Sequence, residues 1–252
     1  NYVLYALTLS VTIIVVAVPE GLPMMITLVL SSNMKRMLKN NVLVRKLVGI
    51  ETAGSLNILF TDKTGTLTKG KLEVIGVTTS NGKSYRSLKE LKDHPQVQQI
   101  LTTSLYYNNE SLFDEQGKIL GGNITDRALL RFTQGIKPKS VRVKKKIPFD
   151  SKRKYSMTLI EDGKPIYLVK GAPEKLLSAC TTMYDEWGSK KPFTTKNRIR
   201  ELLEATTKQG IRVILLATSE RETIVSNLTF VGLVFIKDEI RPEVATPATI
   251  AT

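Results

Sequence analysis

The sequence predicts an α/β chain in three parts: a broken apolar helix, the opening of a parallel α/β sheet, and an inserted α+β domain with an antiparallel sheet. Three observations lead there. From Val3 to Leu30 only Glu20 is charged, and the run is interrupted at Pro19-Glu20-Gly21-Leu22-Pro23. A short apolar stretch, Leu56-Asn57-Ile58-Leu59-Phe60, stops just before Asp62. From Lys71 to Ile240, short alternating strands, turn residues and amphipathic helices follow one another, too long a span for a loop and so an inserted domain. The expected boundaries are 1–40, 41–70, 71–240 and 241–252.

The chain has 252 residues, room for one large domain or two modest ones. It begins with Asn1 and ends in Ala245–Thr252 without a finishing element, and so reads as a piece of a longer protein. Its 37 basic residues against 23 acidic ones give a formal charge of +14, which suits an anionic partner: nucleotide, anionic lipid head groups or nucleic acid. Cys180, the single cysteine, excludes an intramolecular disulfide and fits a reducing compartment. His94 sits in the polar stretch Lys92-Asp93-His94-Pro95 and reads as a solvated loop residue.

The first part is a transmembrane segment. At ~1.5 Å per residue it reaches about 40 Å as a helix, more than the ~30 Å of a hydrocarbon core. A signal peptide would carry basic residues before the apolar run. Here Lys35, Arg36, Lys39, Arg45 and Lys46 come after it and place the C-terminal side in the cytoplasm. Two prolines and a glycine break the hydrogen-bond ladder, and a carboxylate at that depth is costly unless paired or bound to a cation. Broken membrane helices coordinate ions through freed carbonyls. Glu20 is therefore a candidate cation ligand.

A basic, helix-compatible stalk runs from Ser31 to Gly54. Leu56–Phe60 has the length of a buried parallel strand. A carboxylate at the end of such a strand stands where open α/β sheets place their chemistry, which makes Asp62 the candidate nucleophile. Lys63, the hydroxyls of Thr64 and Thr66, and the close backbone approach that Gly65 allows can neutralise charge on a transferred phosphoryl group. Thr64 is a poor base towards water, so an aspartyl-phosphate formed here would persist.

In the inserted domain, Leu72–Thr79 reads as a strand and Asn81-Gly82 as a turn. Ser87–Leu105 reads as a helix, and Asn123 opens another over Ile124–Phe132. Val141–Ile147, Ser156–Ile160, Ile166–Val169, Arg212–Ala217 and Leu228–Ile236 read as strands. Pro173 opens a helical turn, and Thr195–Lys208 is a helix stopped at Gly210. A nucleotide pocket needs a flat apolar ring and cations near the phosphates. Phe149 is the candidate ring, Lys154, Lys170 and Arg212 the cations, and Gly171 the point of close approach. Arg142, Lys144, Lys145 and Lys146, interleaved with apolar residues, read as a solvated strand face.

Asp62-Lys63-Thr64-Gly65-Thr66-Leu67-Thr68 resembles the phosphorylation motif of the P-type ATPases, cation pumps that form a phospho-aspartate. Pro19–Pro23 looks like the ion-binding break in the fourth membrane helix of their calcium-pump branch. The resemblance implies that the carbonyls of Val15, Val16 and Val18 and the side chain of Glu20 hold the transported cation, Ca²⁺ by this branch. It implies an incomplete Rossmann-like (haloacid-dehalogenase-like) phosphorylation domain in which Asp62 and the Thr64 carbonyl hold Mg²⁺. Lys170-Gly171-Ala172-Pro173-Glu174 looks like the family's nucleotide-domain signature. Asp126, Phe149, Lys154 and Arg212 fall where the family places its other ATP contacts. Asp126 replaces the more usual glutamate, and Asn123 stands where some calcium pumps are acidic. Lys237–Glu243 resembles the hinge back to the phosphorylation domain, with Asp238 and Arg241 matching. The resemblance also implies a lipid bilayer as partner, cytoplasmic phosphorylation and nucleotide-binding domains, and further pump domains that this chain lacks. This chain alone is then expected to bind ATP without turning it over. The rival readings are a pump for Na⁺, K⁺, H⁺ or Mg²⁺, a soluble aspartate-based phosphatase, which would carry an acid/base carboxylate at position 64, and a nucleic-acid-binding protein, which the interleaved strand disfavours.

Overall fold

The structure is a computed structural model that describes residues 2–17, 21–46, 48–58, 60–222 and 227–244. The chain divides into two compact units, Asn1–Thr61 and Asp62–Thr252.

The first unit holds helices α1 (Tyr2–Ala17), α2 (Gly21–Lys39) and α3 (Val48–Gly54). Tyr2–Lys39 is long and apolar enough to cross a membrane, and no residue of α1 or α2 is buried by protein. The hydroxyls of Thr8, Ser10, Thr12 and Thr27 each donate to the carbonyl four residues back, at 2.6–2.8 Å. These polar groups are thereby satisfied inside the helix, as apolar surroundings require. Val18, Pro19 and Glu20 lie outside the described residues. Asn41, at φ 61°, ends α2: its amide donates to Leu38 O and that of Val42 to Met37 O, a Schellman closure with asparagine in the left-handed position. The stalk is therefore helical to Lys39 and again from Val48, not throughout.

The described residues of the Leu56–Phe60 run, which leave out Leu59, do not form a strand. Leu56, Ile58 and Phe60 are 57%, 68% and 91% exposed. A parallel strand exists only by pairing with neighbours, and no described segment pairs with this one.

The second unit opens with a π-helical turn, Lys63–Leu67, and then β1 (Thr68–Thr78) and β2 (Ser84–Tyr85). Gly82, at φ 77°, makes the turn between them. Next come a 3₁₀ turn at Leu88–Leu91, α4 (Pro95–Tyr107), a hairpin of β3 (Ser111–Phe113) and β4 (Ile119–Gly121), and α5 (Ile124–Phe132). Pro95 starts α4 as its first helical residue, so the expected single helix over Ser87–Leu105 is two elements. The chain continues through β5 (Arg142–Asp150), β6 (Tyr155–Asp162), β7 (Lys164–Gly171), α6 (Pro173–Leu176), β8 (Cys180–Tyr184), β9 (Lys190–Pro192), α7 (Lys196–Lys208), β10 (Arg212–Ser219) and β11 (Leu228–Ile240).

The sheet order is β2-β1-β11-β10-β7-β6-β5, antiparallel throughout. β8 adds alongside the first residues of β11 in parallel, where β1 no longer reaches, and pairs β9 on its other edge. Alternation along the strands feeds two cores. Leu216, Val231 and Val234 face Leu101, Leu105 and Leu129 of α4 and α5. Val213, Leu215, Ala217, Leu233 and Phe235 face Ile199 of α7, Leu176 of α6 and the stacked rings of Phe193 and Phe230, 4.7 Å apart. His94 is not a free loop side chain: its ring meets Trp187 edge-on at 5.8 Å.

Cys180 lies in the second core, where burial pushes its thiol up to about 12. The thiolate is the reactive species, so iodoacetamide at pH 8 should leave the folded chain unlabelled and modify it fully in urea. Rapid labelling of the folded chain would contradict the packing described.

Candidate functional site

Asp62 is exposed and stands at the entrance to the Lys63–Leu67 turn. The side chains of Lys63 and Thr64 lie outside what the structure describes; their backbone forms the first residues of the turn. Gly65 takes φ 82°, a conformation that a side chain would strain. The turn is tied to the end of β11. The Gly65 amide donates to Thr68 Oγ1 at 3.1 Å, and Thr68 Oγ1 donates to Asp238 Oδ2 at 2.6 Å. Arg241 donates from its guanidinium to Thr68 O and Gly65 O, both at 3.2 Å, and from its amide to Leu67 O at 3.0 Å. Asp238 and Arg241 thus fix the backbone that carries Asp62.

Five of the six remaining candidates in this unit line one cavity of about 470 Å³: Asp126, Phe149, Lys170, Gly171 and Arg212. That volume suits a small-molecule ligand. α5 delivers Asp126 from its first turn, where the Asn123 side chain caps the Asp126 amide at 2.9 Å. β7 delivers Lys170, and the two side chains form an ion pair with 8% of Lys170 and 4% of Asp126 exposed. Burial holds the Lys170 ammonium below its usual value while the Asp126 charge pulls the other way. Gly171 follows, and a Cβ there would meet Lys154 O and Tyr155 Cβ, each at 2.5 Å. Only glycine permits that approach. Phe149, 54% exposed, presents its ring at the cavity. Arg212 donates to Thr125 Oγ1 at 3.2 Å.

Lys154 does not line the cavity. Its ammonium bonds the carboxylate of Glu174, which does, at 3.1 Å, and its carbonyl accepts from Ala172 at 2.9 Å. In the first unit, Val15 and Val16 lie in the last turn of α1. Val18 and Glu20 fall outside the described residues. Among the described residues no cluster of three or more His, Cys, Asp or Glu could hold a metal.

Sequence reasoning missed two features. Asn108, buried at the end of α4, donates to Ser156 O and Leu168 O and accepts from Ser156 Oγ and Thr158 Oγ1, pinning the helix to the cavity wall. Lys146 is exposed, as its sequence pattern implies, but it also lines the cavity and donates to Asn109 O at 2.8 Å. A bulge between Val143 and Lys145 explains the second: Val143 faces Ile160 and Lys146 faces Thr158, so both share the inner face. No residue in the sequence marks that bulge.

Residues 96–243 match the family model described as P-type ATPase, cytoplasmic domain N. The chain is 33% identical over 277 residues to the calcium-transporting ATPase of Bacillus subtilis, covering 96% of this chain and 31% of that protein. It is 34% identical to calcium-transporting ATPase 1 of Saccharomyces cerevisiae, covering 94% of this chain and 28% of that protein. It is 31% identical to plasma membrane calcium-transporting ATPase 4 of Bos taurus, covering 96% of this chain and 22% of that protein. The chain thus spans less than a third of each of these relatives.

Asp126→Ala strands a buried ammonium, and the second unit should lose about 3–5 kcal/mol in urea unfolding. Adding Lys170→Met should recover most of that loss. Thr68→Val, which breaks the link between the Asp62 turn and Asp238, should cost about 1–3 kcal/mol and speed hydrogen exchange at the Gly65 amide, while Thr68→Ser retains both.

Proposed function

This chain belongs to the P-type ATPase family, and from that premise we propose that it is the part of an ATP-driven cation pump that binds the nucleotide and receives its γ-phosphate. The observation that carries this reading is the single cavity gathering Asp126, Phe149, Lys170, Gly171 and Arg212 in the same unit as the Asp62 turn. The transported cation is Ca²⁺, supported by the names of the relatives, each a calcium-transporting ATPase.

The base of ATP stacks on Phe149 inside the cavity, and Arg212 carries charge near the phosphates. Asp62 attacks the γ-phosphorus through a carboxylate oxygen, the bond to the β–γ bridging oxygen breaks, and ADP leaves with the electron pair. Mg²⁺, when bound, neutralises charge on the phosphates. The Asp62 carboxylate and the Thr64 carbonyl would hold it, and two oxygens are a partial set for an ion that takes about six. Asp238 and Arg241 hold the turn in place while this happens. The domains are 1–40, transmembrane helix and stalk; 41–70, the start of the phosphorylation domain; 71–240, the nucleotide-binding domain; and 241–252, the return. In the whole pump the Leu56–Phe60 run gains its strand neighbours from outside residues 1–252. Tyr2–Lys39 spans a bilayer with the second unit on the cytoplasmic side, and Val15, Val16, Val18 and Glu20 contribute to the cation site.

The intact parent protein, given γ-labelled ATP, should form an acid-stable, hydroxylamine-labile phosphoenzyme that requires Ca²⁺. Asp62→Asn should abolish the label and leave nucleotide binding within about threefold. Labelling of that variant would end the mechanism, and labelling driven by another cation alone would change the ion.

A further inference from the structure

The strand register orders the three cations of the cavity. Arg212 pairs with Ile236, and β11 continues from there to Ile240, opposite Thr68. Arg212 therefore lies towards the end of the sheet that carries the Asp62 turn. Along β10 in the other direction, Leu216 sits opposite Lys170, and Thr218 sits opposite Leu168. Leu168 pairs with Thr158, and Thr158 with Lys146. At ~3.3 Å per residue, Lys146 is offset from Arg212 by roughly 20 Å along the strands, with Lys170 and Phe149 between their levels. A nucleotide with its phosphates towards Asp62 would place its base at the Lys146 end.

At that end most donors are already committed. The Ser156 and Thr158 hydroxyls donate to Asn108 Oδ1. The Asn108 amide serves Ser156 O and Leu168 O, and the Asn109 amide serves Leu105 O and Asp126 O. Lys170 is neutralised by Asp126. Lys146 differs: its ammonium is held by one neutral carbonyl, Asn109 O, and among the described residues it makes no ion pair. Lys144 and Lys145 on the same strand are paired with Glu161 and Glu222. An ammonium carries three donors, so Lys146, exposed at the cavity wall and anchored on Asn109 O, keeps two for a ligand. Its charge also lowers the pKa of Lys170, as proximity requires.

We infer that Lys146 is a binding and selectivity residue of the cavity, donating to a ring nitrogen of the bound base at the end away from Asp62. This rests on the nucleotide reading of the cavity. Glu110, which lines the same cavity, supplies an acceptor for an exocyclic amine beside it. The pair reads a base that shows a ring acceptor next to an amino donor, as adenine does.

The test is binding of adenosine, AMP, ADP and ATP to the full chain in detergent micelles, followed by calorimetry, for the unaltered protein, Lys146→Met, Lys146→Arg and Lys144→Met. Lys146→Met should weaken all four ligands by a similar factor of about tenfold, with an unchanged melting curve. Lys146→Arg should restore most of the binding, and Lys144→Met should change nothing. Equal binding by Lys146→Met and the unaltered chain overturns the inference and leaves the nucleotide site standing. A loss that is large for ATP and absent for adenosine also overturns it, because the contact would then be to phosphate. If the unaltered chain binds none of the four, the nucleotide reading itself falls, and this inference with it.

Discussion

Strand β11 is the constraint on which the second unit depends. It is hydrogen-bonded along both edges, to β10 on one side and to β1 and then β8 on the other. Its inner residues, from Leu228 to Ile236, are buried, and alternate side chains enter the two cores. Because β11 pairs with β10, Arg212 is fixed at one level of the sheet. Because it pairs with β1, its last residues meet Thr68, and Asp238 and Arg241 grip the turn that carries Asp62. One strand therefore sets both the level of a cavity cation and the placement of the turn that follows Asp62. Gly232 belongs to the same constraint: a Cβ there would lie 2.7 Å from Thr78 O.

The cavity combines a neutralised cation with two that keep their charge. Burying Lys170 costs free energy, which the equally buried Asp126 offsets; the pair is better understood as fixing the shape of the wall than as adding net stability. Among the described residues, Arg212 and Lys146 hold only neutral oxygens, Thr125 Oγ1 and Asn109 O. Their charge remains available to an anionic or acceptor-rich ligand. The Lys154–Glu174 pair at the rim is exposed and contributes little to stability, so either partner is free to be exchanged for a ligand group.

The antiparallel domain was legible because its strands and helices carry their own periodicities and punctuation. Asn123 at an N-cap, Pro173 at a first helical position and Asn81-Gly82 at a turn each act through local backbone chemistry. The short strands β3, β4, β8 and β9 were not legible, because three to five residues cannot display a period. Leu56–Phe60 went the other way. Its composition is that of a buried strand, but a strand is a property of pairs, and among the described residues none pairs with it.

The sequence by itself determined the family motif around Asp62, the apolar segment from Val3 to Leu30, and the residues Asp126, Phe149, Lys170, Gly171 and Arg212 as a set. Each of these is a matter of residue type and local order. Only the tertiary structure decided that those five line one cavity, that Lys154 stands outside it on Glu174, and that Asp238 and Arg241 hold the Asp62 turn. It also decided the place of Lys146. A single extra residue in β5 reverses which face a side chain takes, and pairing with β6, not any local signal, sets where that bulge falls.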